Sequence, residues 1–519
     1  MSAEAARDVA ALACALGAGL LLVPLPRVPA APRRLAGLAL LVAGWIALAL
    51  GLLPEGDAEA IGDRLTTAGG AAALLVVLVA AGAGGWLAGR LLAAHPTAWF
   101  ALLGLALPLR IPVPVGGEDR YLLLPLYVVI ALGVLASLSA RLGSGRHERR
   151  DPRTPVDLPL GLFALVALAS IAWSVDAEEG AVKAVFFWVP FLLLYVAVVD
   201  HWPRARALPA LGAATVALAV PIALLAVVQY LTREIFLNER LQQANVYSRF
   251  FRANAIFYDP NILGRFLVVA IVAALALAWL RRGRARELAG LGVLVAVFCA
   301  GLAVTFSRSS CLMLITAVGL MSWWAFGARR TLAVGALVLG LMGSVAVAGS
   351  GNVRDALTST ERLERVSEGR FDLMRGGVEI WREAPLHGAG LGGFEVQYQR
   401  TLTPAEQRRI RVIISHNAPV TVLSEQGLIG LALLVWLGAA VARAGGRAAR
   451  AVGGAPGWLA WTMLALAAGI VVHSLLYSAL VEDPYTWVLV GGALALAARA
   501  RREPAPPALP PLRTPVGTG

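Results

Sequence analysis

Residues 262–280 read ILGRFLVVAIVAALALAWL, and only one of those positions, Arg265, is charged. A helix rises 1.5 Å per residue and a bilayer's hydrocarbon core is about 30 Å thick, so a run of this length crosses a membrane as one helix. Helical hydrogen bonding satisfies its backbone internally, as lipid requires. Runs of the same kind recur at Leu35 to Leu53, Ala181 to Val199 and Val420 to Val441. Over 519 residues, 58% are hydrophobic and 15% charged, and the mean hydropathy is +0.73. These values exclude an ordinary soluble domain. The fold class expected is an all-α polytopic membrane protein, a bundle of roughly 12–15 transmembrane helices with a large external loop containing an amphipathic helix.

The formal charge of +13 does not indicate nucleic acid, because most Lys and Arg lie in short clusters between apolar runs. There they orient helices. The clusters are Arg27/Arg33/Arg34, Arg141 to Arg153, Arg204/Arg206, Arg281 to Arg286, Arg329/Arg330, Arg443 to Arg450 and Arg499 to Arg502. Each is expected to be cytoplasmic, which leaves the acidic connections Glu55 to Asp63, Asp176 to Glu179 and Glu482/Asp483 outside. The first run, Val9 to Val23, has neither a basic stretch before it nor a small-residue cleavage site behind it, and reads as a retained helix. Cys14, Cys299 and Cys311 fit no disulfide or metal spacing and read as packing residues.

The chain divides into N-terminal transmembrane helices (1–206), central helices (207–348) with an external loop at 232–260, and a large external loop (349–417). C-terminal helices (418–498) and a Pro-rich cytoplasmic tail (499–519) expected to be disordered complete it. Loops of that length usually carry function. In the second loop Phe371, Met374, Val378 and Trp381 recur at helical spacing, which predicts an amphipathic helix that lies on the membrane or caps the bundle. Pro385 ends it, and the glycines of HGAGLGGF (His387 to Phe394) permit a tight turn close to another backbone.

Three stretches could carry chemistry. In SHNAPVTVLSEQGLIGL (Ser415 to Leu431), Asn417 is a good N-cap and Pro419 suits the first turn. A straight helix would set Val420, Leu423, Gly427, Gly430 and Leu434 under His416 on one face. With a reference pKa of about 6.5 the histidine could accept a hydroxyl proton; its plainer role is to bond the loop. In TFSRSSCLMLI (Thr305 to Ile315), Arg308 stands at a tight hairpin, either to grip a phosphate bidentately or to snorkel. In RFFRANAIFYDPNILGRFL (Arg249 to Leu267), Asp259 and Pro260 resemble an N-cap and N1, a helix end that stabilises anions. Arg252 precedes it, and Arg265 lies about one turn inside, where a functional or paired role is favoured. Glu482/Asp483 read as an exposed acidic turn, with orienting an arginine or binding the acceptor as the alternatives.

These stretches resemble the bacterial O-antigen ligase and polymerase superfamily. His416-Asn417 with Gly427 and Gly430 is similar to its HN-x9-G-x-x-G motif, and Arg308 with Leu312 to its R-x-x-x-L element. Arg252, Phe257, Pro260 and Asn261 resemble its upstream R-x-x-x-x-F-x-x-P-N element, and PLHGAGLGGF (Pro385 to Phe394) its P-L-x-G-x-G turn. The four occur in order between Arg249 and Trp487; the helices before Ala207 match in hydropathy alone.

The resemblance implies a multi-pass protein of the bacterial inner membrane with its site facing the periplasm. The implied reaction moves a glycan from an undecaprenyl pyrophosphate carrier to a hydroxyl acceptor such as lipid A core, with inversion. On that basis His416 is the general base, and Arg252, Arg308, Asn261 and, less directly, Arg265 bind the pyrophosphate. Asn417, Gly427, Gly430 and Leu312 support them. The donor, the acceptor glycan or glycolipid and membrane lipid are the expected partners, with no nucleic acid. No cofactor or metal is expected, since guanidinium groups can neutralise the leaving group. Polymerases and protein O-oligosaccharyltransferases share the motifs. A polysaccharide or lipid transporter is the alternative of another class; it would need charged or broken helices near the midplane, which most of these runs lack.

Overall fold

The computed structural model describes residues 2–54, 67–115, 118–143, 154–202, 207–236, 238–247, 250–333, 370–404 and 415–500, with single positions at 56, 63, 335, 336 and 407. The tail at 501–519, the whole of the 337–369 stretch and the clusters around 144–153 and 203–206 lie outside those residues. The chain opens with helices α1 (Ala3–Leu22), α2 (Ala30–Gly51), α3 (Ala68–Ala94) and α4 (Pro96–Ala106). A two-stranded antiparallel hairpin follows, β1 (Ile111–Val115) and β2 (Glu118–Leu122), with Ile111 opposite Leu122. Next come α5 (Leu124–Gly143), α6 (Asp157–Ala169), α7 (Ala177–Lys183) and α8 (Val189–His201), the last two joined by a π turn at Ala184–Trp188. Then follow α9 (Leu208–Thr232), α10 (Glu239–Tyr247), α11 (Pro260–Leu280), α12 (Ala285–Ala303) and α13 (Arg308–Phe326). The last five are α14 (Arg370–Glu383), α15 (Phe394–Thr401), α16 (Ala418–Val452), α17 (Gly454–His473) and α18 (Pro484–Ala500).

Among the described residues nine helices are long and apolar enough to cross a membrane, counting Ala177–His201 as one. Four shorter apolar helices, Pro96–Ala106, Leu124–Ser139, Asp157–Trp173 and Pro484–Leu496, run beside them, as does the apolar α3. The all-α polytopic class expected from hydropathy is what the chain adopts, and the hairpin is its one addition among the described residues. Proline in the first turn of α4, α9, α11 and α16 costs no hydrogen bond there. One buried core joins α1, α2 and α4–α8 to the C-terminal helices, and a second is built on α9 and α11–α13; Leu434, Leu459, Met463 and Tyr485 pack against both. The C-terminal helices therefore cement the halves together.

The arginine-bearing connections at Arg27–Arg34 and Arg281–Arg286 and the first residues of α6 fall at one end, where Arg34 Nη2 stands 3.6 Å from Asp157. We call this the arginine end. The sequence motifs gather at the opposite, motif end. There α14 forms where its spacing predicts; Gly376, Gly377 and Ile380 are buried, flanked by Leu373, and Met374, Val378 and Trp381 of the apolar stripe are half-buried. A Cβ on Gly376 would meet the Tyr398 ring at 2.1 Å and one on Gly377 would meet Val420 at 2.4 Å. Thus α14 caps the bundle by lying across α15 and the start of α16.

Two expectations are corrected. The straight stripe beneath His416 does not exist, because Gly427 adopts φ 63°, ψ −161° and breaks α16. Into the break runs the glycine turn: Ala389 and Gly390 donate their amides to Ser424 O (2.9 Å) and Glu425 O (2.8 Å), and Leu428 and Ile429 donate to Pro385 O (2.9 Å) and Leu386 O (3.2 Å). The turn thus supplies partners for backbone groups that the break releases. Of the cysteines, Cys14 is buried in packing as expected, whereas Cys299 and Cys311 are exposed on the flanks of α12 and α13. A thiol is apolar enough to face lipid as readily as a core.

Gly390 has φ +88°, and a Cβ there would lie 2.2 Å from Ser174 Cα. Gly390→Ala is expected to lower the apparent Tm of the detergent-solubilised protein by several degrees, combining a left-handed penalty of about 1–2 kcal/mol with a backbone clash. Gly438→Ala in α16, where a Cβ meets nothing within 4 Å, should leave Tm unchanged. Equal Tm values for the two variants, measured by intrinsic fluorescence during heating, would remove the interlock from the account.

Candidate functional site

The motif end is organised by three helix starts. Asp259 caps α11, its Oδ1 accepting from Asn261 N at 2.6 Å. Ser307 caps α13, accepting from Ser310 N at 3.3 Å, and Asn417 caps α16, accepting from Val420 N at 3.0 Å. Each cap satisfies an orphan amide and leaves the positive end of the helix dipole at this face.

One hydrogen-bonded chain links these starts. Arg252 donates Nε to Thr305 O (3.0 Å) and Nη2 to Asn261 Oδ1 (3.2 Å). The same Asn261 oxygen accepts from Ser307 Oγ at 2.8 Å. Ser309 Oγ lies 3.1 Å from His473 Nε2 at the end of α17. Beyond it, Ala418 N donates to Ser474 O (2.9 Å), and Asn417 Nδ2 donates to Leu475 O (3.1 Å). His416, half-buried, precedes this last cap directly, and Arg308 is the first, exposed residue of α13. Arg252, Asn261 and Asn417 therefore belong to one network, and Arg308 and His416 each adjoin one of its capping residues in sequence. Leu312, one turn below Arg308, is 42% exposed on the flank of α13 and lies beside the network, not within it.

Strain marks the same places. Four described non-glycine residues have positive φ, and three of them, Ala255 (49°), Phe306 (50°) and His416 (52°), stand within a few residues ahead of these caps. Such backbone costs on the order of 1–2 kcal/mol per residue and persists only when neighbours impose it. At Ala255 the neighbour is Gln229, fully buried in α9, whose Oε1 accepts from Ala255 N at 2.7 Å while Nε2 donates to Ala255 O at 3.2 Å. Nothing in the local sequence of Gln229 reveals this, since its partner is 26 residues away.

Arg265 takes the paired course. Its Nε meets Asp483 Oδ2 at 2.8 Å, and Nη1 donates to Ala479 O at 3.3 Å. Asp483 is 2% exposed, which overturns the exposed acidic turn and makes it the partner that lets a guanidinium reside inside the bundle. Burial pushes the neighbouring Glu482 carboxyl up to about 7 against the pull of Lys183. Asp483 is likewise raised by burial, with Arg265 opposing. A second pair, half-buried at its lysine, is one the sequence does not announce: Lys183 Nζ and Glu425 Oε1 at 2.8 Å join α7 to α16 just above the Gly427 break. The signal available was a lone lysine and a lone glutamate in otherwise apolar runs, where charge is retained only at a cost.

Gly427 and Gly430 do not touch this network. Gly427 is where the glycine turn enters, and Gly430 faces Gln426 across the break. Among the described residues no group of three or more His, Cys, Asp or Glu is arranged to hold a metal ion. What the motif end offers is cationic side chains, helix-start amides and an imidazole at one face, an arrangement that attracts an anion beside a group able to take a proton.

Among curated proteins none matches the chain significantly. Residues 293–435 match the O-antigen ligase family, a span that holds Arg308, Leu312, His416, Asn417, Gly427 and Gly430 and stops short of Arg252, Asn261 and Arg265. Over that stretch of the chain the sequence is similar to the O-antigen ligase family.

Proposed function

We propose that the protein is a glycosyltransferase that moves a glycan from an undecaprenyl pyrophosphate carrier to a hydroxyl on a lipid A core or related acceptor, at the periplasmic face of the inner membrane. The observation that carries this reading is the continuous network from Arg252 through Asn261, the Ser307–Ser309 turn and His473 to Asn417 beside His416. His416 removes the acceptor hydroxyl proton, and the oxygen attacks the anomeric carbon from the face opposite the carrier. The carbon–oxygen bond to the diphosphate breaks and the leaving group departs with the electron pair, so the configuration inverts.

Departure of a diphosphate needs cations that are already in place. Arg308 and Arg252 supply planar forks that match phosphate oxygens in pairs, and the starts of α11 and α13 add their dipoles. Arg265, already bound to Asp483, contributes charge and rigidity from one turn below. Asn261 holds Arg252 in register by accepting its Nη2 proton.

His416→Ala is expected to cut transfer from a purified polyprenyl-diphosphate glycan by about 10²–10⁴-fold while donor affinity stays within about twofold. Full activity in that variant removes the imidazole from the mechanism. Arg308→Lys keeps the charge and loses the fork; kcat/KM should drop about tenfold or more if bidentate binding operates, and an unchanged value would reduce Arg308 to a point charge or an anchor. Wild-type transfer is expected to persist with excess chelator. Electrophoresis of the product, one addition against a ladder of lengths, distinguishes ligation from polymerisation.

A further inference from the structure

Around α10, between α9 and α11, the side chains are turned inside out relative to a loop in water. The amides face inward. Asn238, 7% exposed, donates Nδ2 to Tyr258 O at 2.8 Å. Asn245, 8% exposed, grips Arg252 at both backbone groups, donating Nδ2 to its O (3.1 Å) and accepting from its N (3.0 Å). Gln242 accepts from Ile235 N at 2.9 Å and donates to Arg233 O at 3.1 Å, which closes the turn into the helix. The apolar side chains face outward: Leu231, Phe236 and Phe250 are exposed, Val246 at 72% and Tyr247 at 90%. Water would leave that apolar area wetted at a cost, whereas the boundary of a bilayer accepts it.

What covers this patch is indicated by its surroundings. On α9, Leu224, Val228 and Leu231 are exposed at helical spacing, one face of a helix long and apolar enough to cross the membrane, and acyl chains cover such a face. The stripe enters the patch at Leu231. On the other side Phe250 stacks on Phe306 ahead of α13, whose Leu312 and Ile315 are exposed one and two turns in. Between them Arg233, exposed, lays its guanidinium over Tyr230 (4.4 Å) and Phe251 (5.4 Å), an aromatic-backed cation suited to the level of lipid phosphates. Glu234 and Glu239, exposed beside it, keep the start of α10 on the polar side of that boundary. We propose that α10 and the residues around it form an interfacial element seated in the leaflet at the motif end, with Val246 and Tyr247 among the upper acyl chains and Arg233 at the phosphates. The partner is the lipid surface, because the patch continues the faces of α9 and α13 that lipid already covers. The seating reaches Arg252 through Asn245, which fixes that backbone at the depth α10 takes.

The test uses the full chain with Cys299→Ala and Cys311→Ala, leaving buried Cys14, and one new cysteine, Tyr247→Cys or, for comparison, Gln399→Cys on the exposed side of α15. Each is labelled with a small fluorophore in nanodiscs of phosphatidylethanolamine and phosphatidylglycerol. Quenching by iodide in the buffer is compared with quenching by lipids that carry a nitroxide near the headgroup or near the chain end. At 247 the shallow nitroxide is expected to quench about threefold more than iodide and to exceed the deep one, while at 399 iodide leads. Adding Val246→Glu should raise iodide quenching at 247 about twofold or more by drawing the element outward. Iodide outquenching both lipids at 247 overturns the seating, and so does an unchanged response in Val246→Glu. Strongest quenching from the deep nitroxide overturns the interfacial depth, and shielding from all three quenchers replaces the lipid with a protein partner. No glycan transfer enters the readout, so its outcome is separate from that of the reaction proposed above.

Discussion

In a chain that lipid surrounds, a broken helix must find partners for its freed backbone groups within the protein, and at Gly427 the partner is a loop. The segment from Pro385 to Gly390 pairs its backbone with Ser424–Ile429 through four hydrogen bonds, and those bonds hold α16 bent. Several features of the motif end follow from that bend. It places Glu425 against Lys183 of α7, and it allows α14 to rest on Val420. It also turns the first two turns of α16 into a short independent helix whose cap, Asn417, reaches Leu475. A straight α16 would carry its start along a different axis, away from the α17 end to which Asn417 and Ala418 are bonded.

The ionic groups sort by what surrounds them. Arg265–Asp483 and Lys183–Glu425 are buried and joined at 2.8 Å, as charges within a bundle must be if desolvation is not to remove them. They fix helices to each other and to the turn at Ala479–Asp483. Arg308, by contrast, is exposed at the first position of α13. Arg308 thus stands at the surface at the start of α13, whereas Arg265 lies inside the bundle against Asp483. The separation of these two kinds of cation within a few turns distinguishes the framework of the site from the groups proposed to act in it.

Much of this was legible in the sequence, for a definite reason. Apolar runs of bilayer length admit one backbone solution, so the helices and their alternation follow from hydropathy and the arginine clusters. Caps were legible too, because Asp259-Pro260 and Asn417 with Pro419 state their geometry locally. What escaped was whatever depends on a distant partner. Gly427 has the same sequence neighbourhood as a helix-packing glycine, and only the arrival of Leu386 and His387 from another loop makes it a break. Asp483 beside Glu482 reads as a solvated turn until Arg265, more than two hundred residues earlier, is brought against it. Gln229 gives no sign that it holds the backbone of Ala255.

The positive φ values at Ala255, Phe306 and His416 tie the two accounts together. Each lies in the few residues where the chain reverses before entering a helix that carries a motif, and none is a glycine, the residue that would adopt such backbone without cost. At Phe306 the side chain stacks on Phe250 with centroids 4.9 Å apart, and Phe250 lies two residues before Arg252 as Phe306 does before Arg308. That stacking is a second link between the two arginine segments, beside Asn261, which bonds Arg252 and Ser307. At His416 a glycine would relax the backbone but remove the only ring in the segment. Two of these reversals are held by side chains from other elements, Gln229 at Ala255 and Phe250 at Phe306.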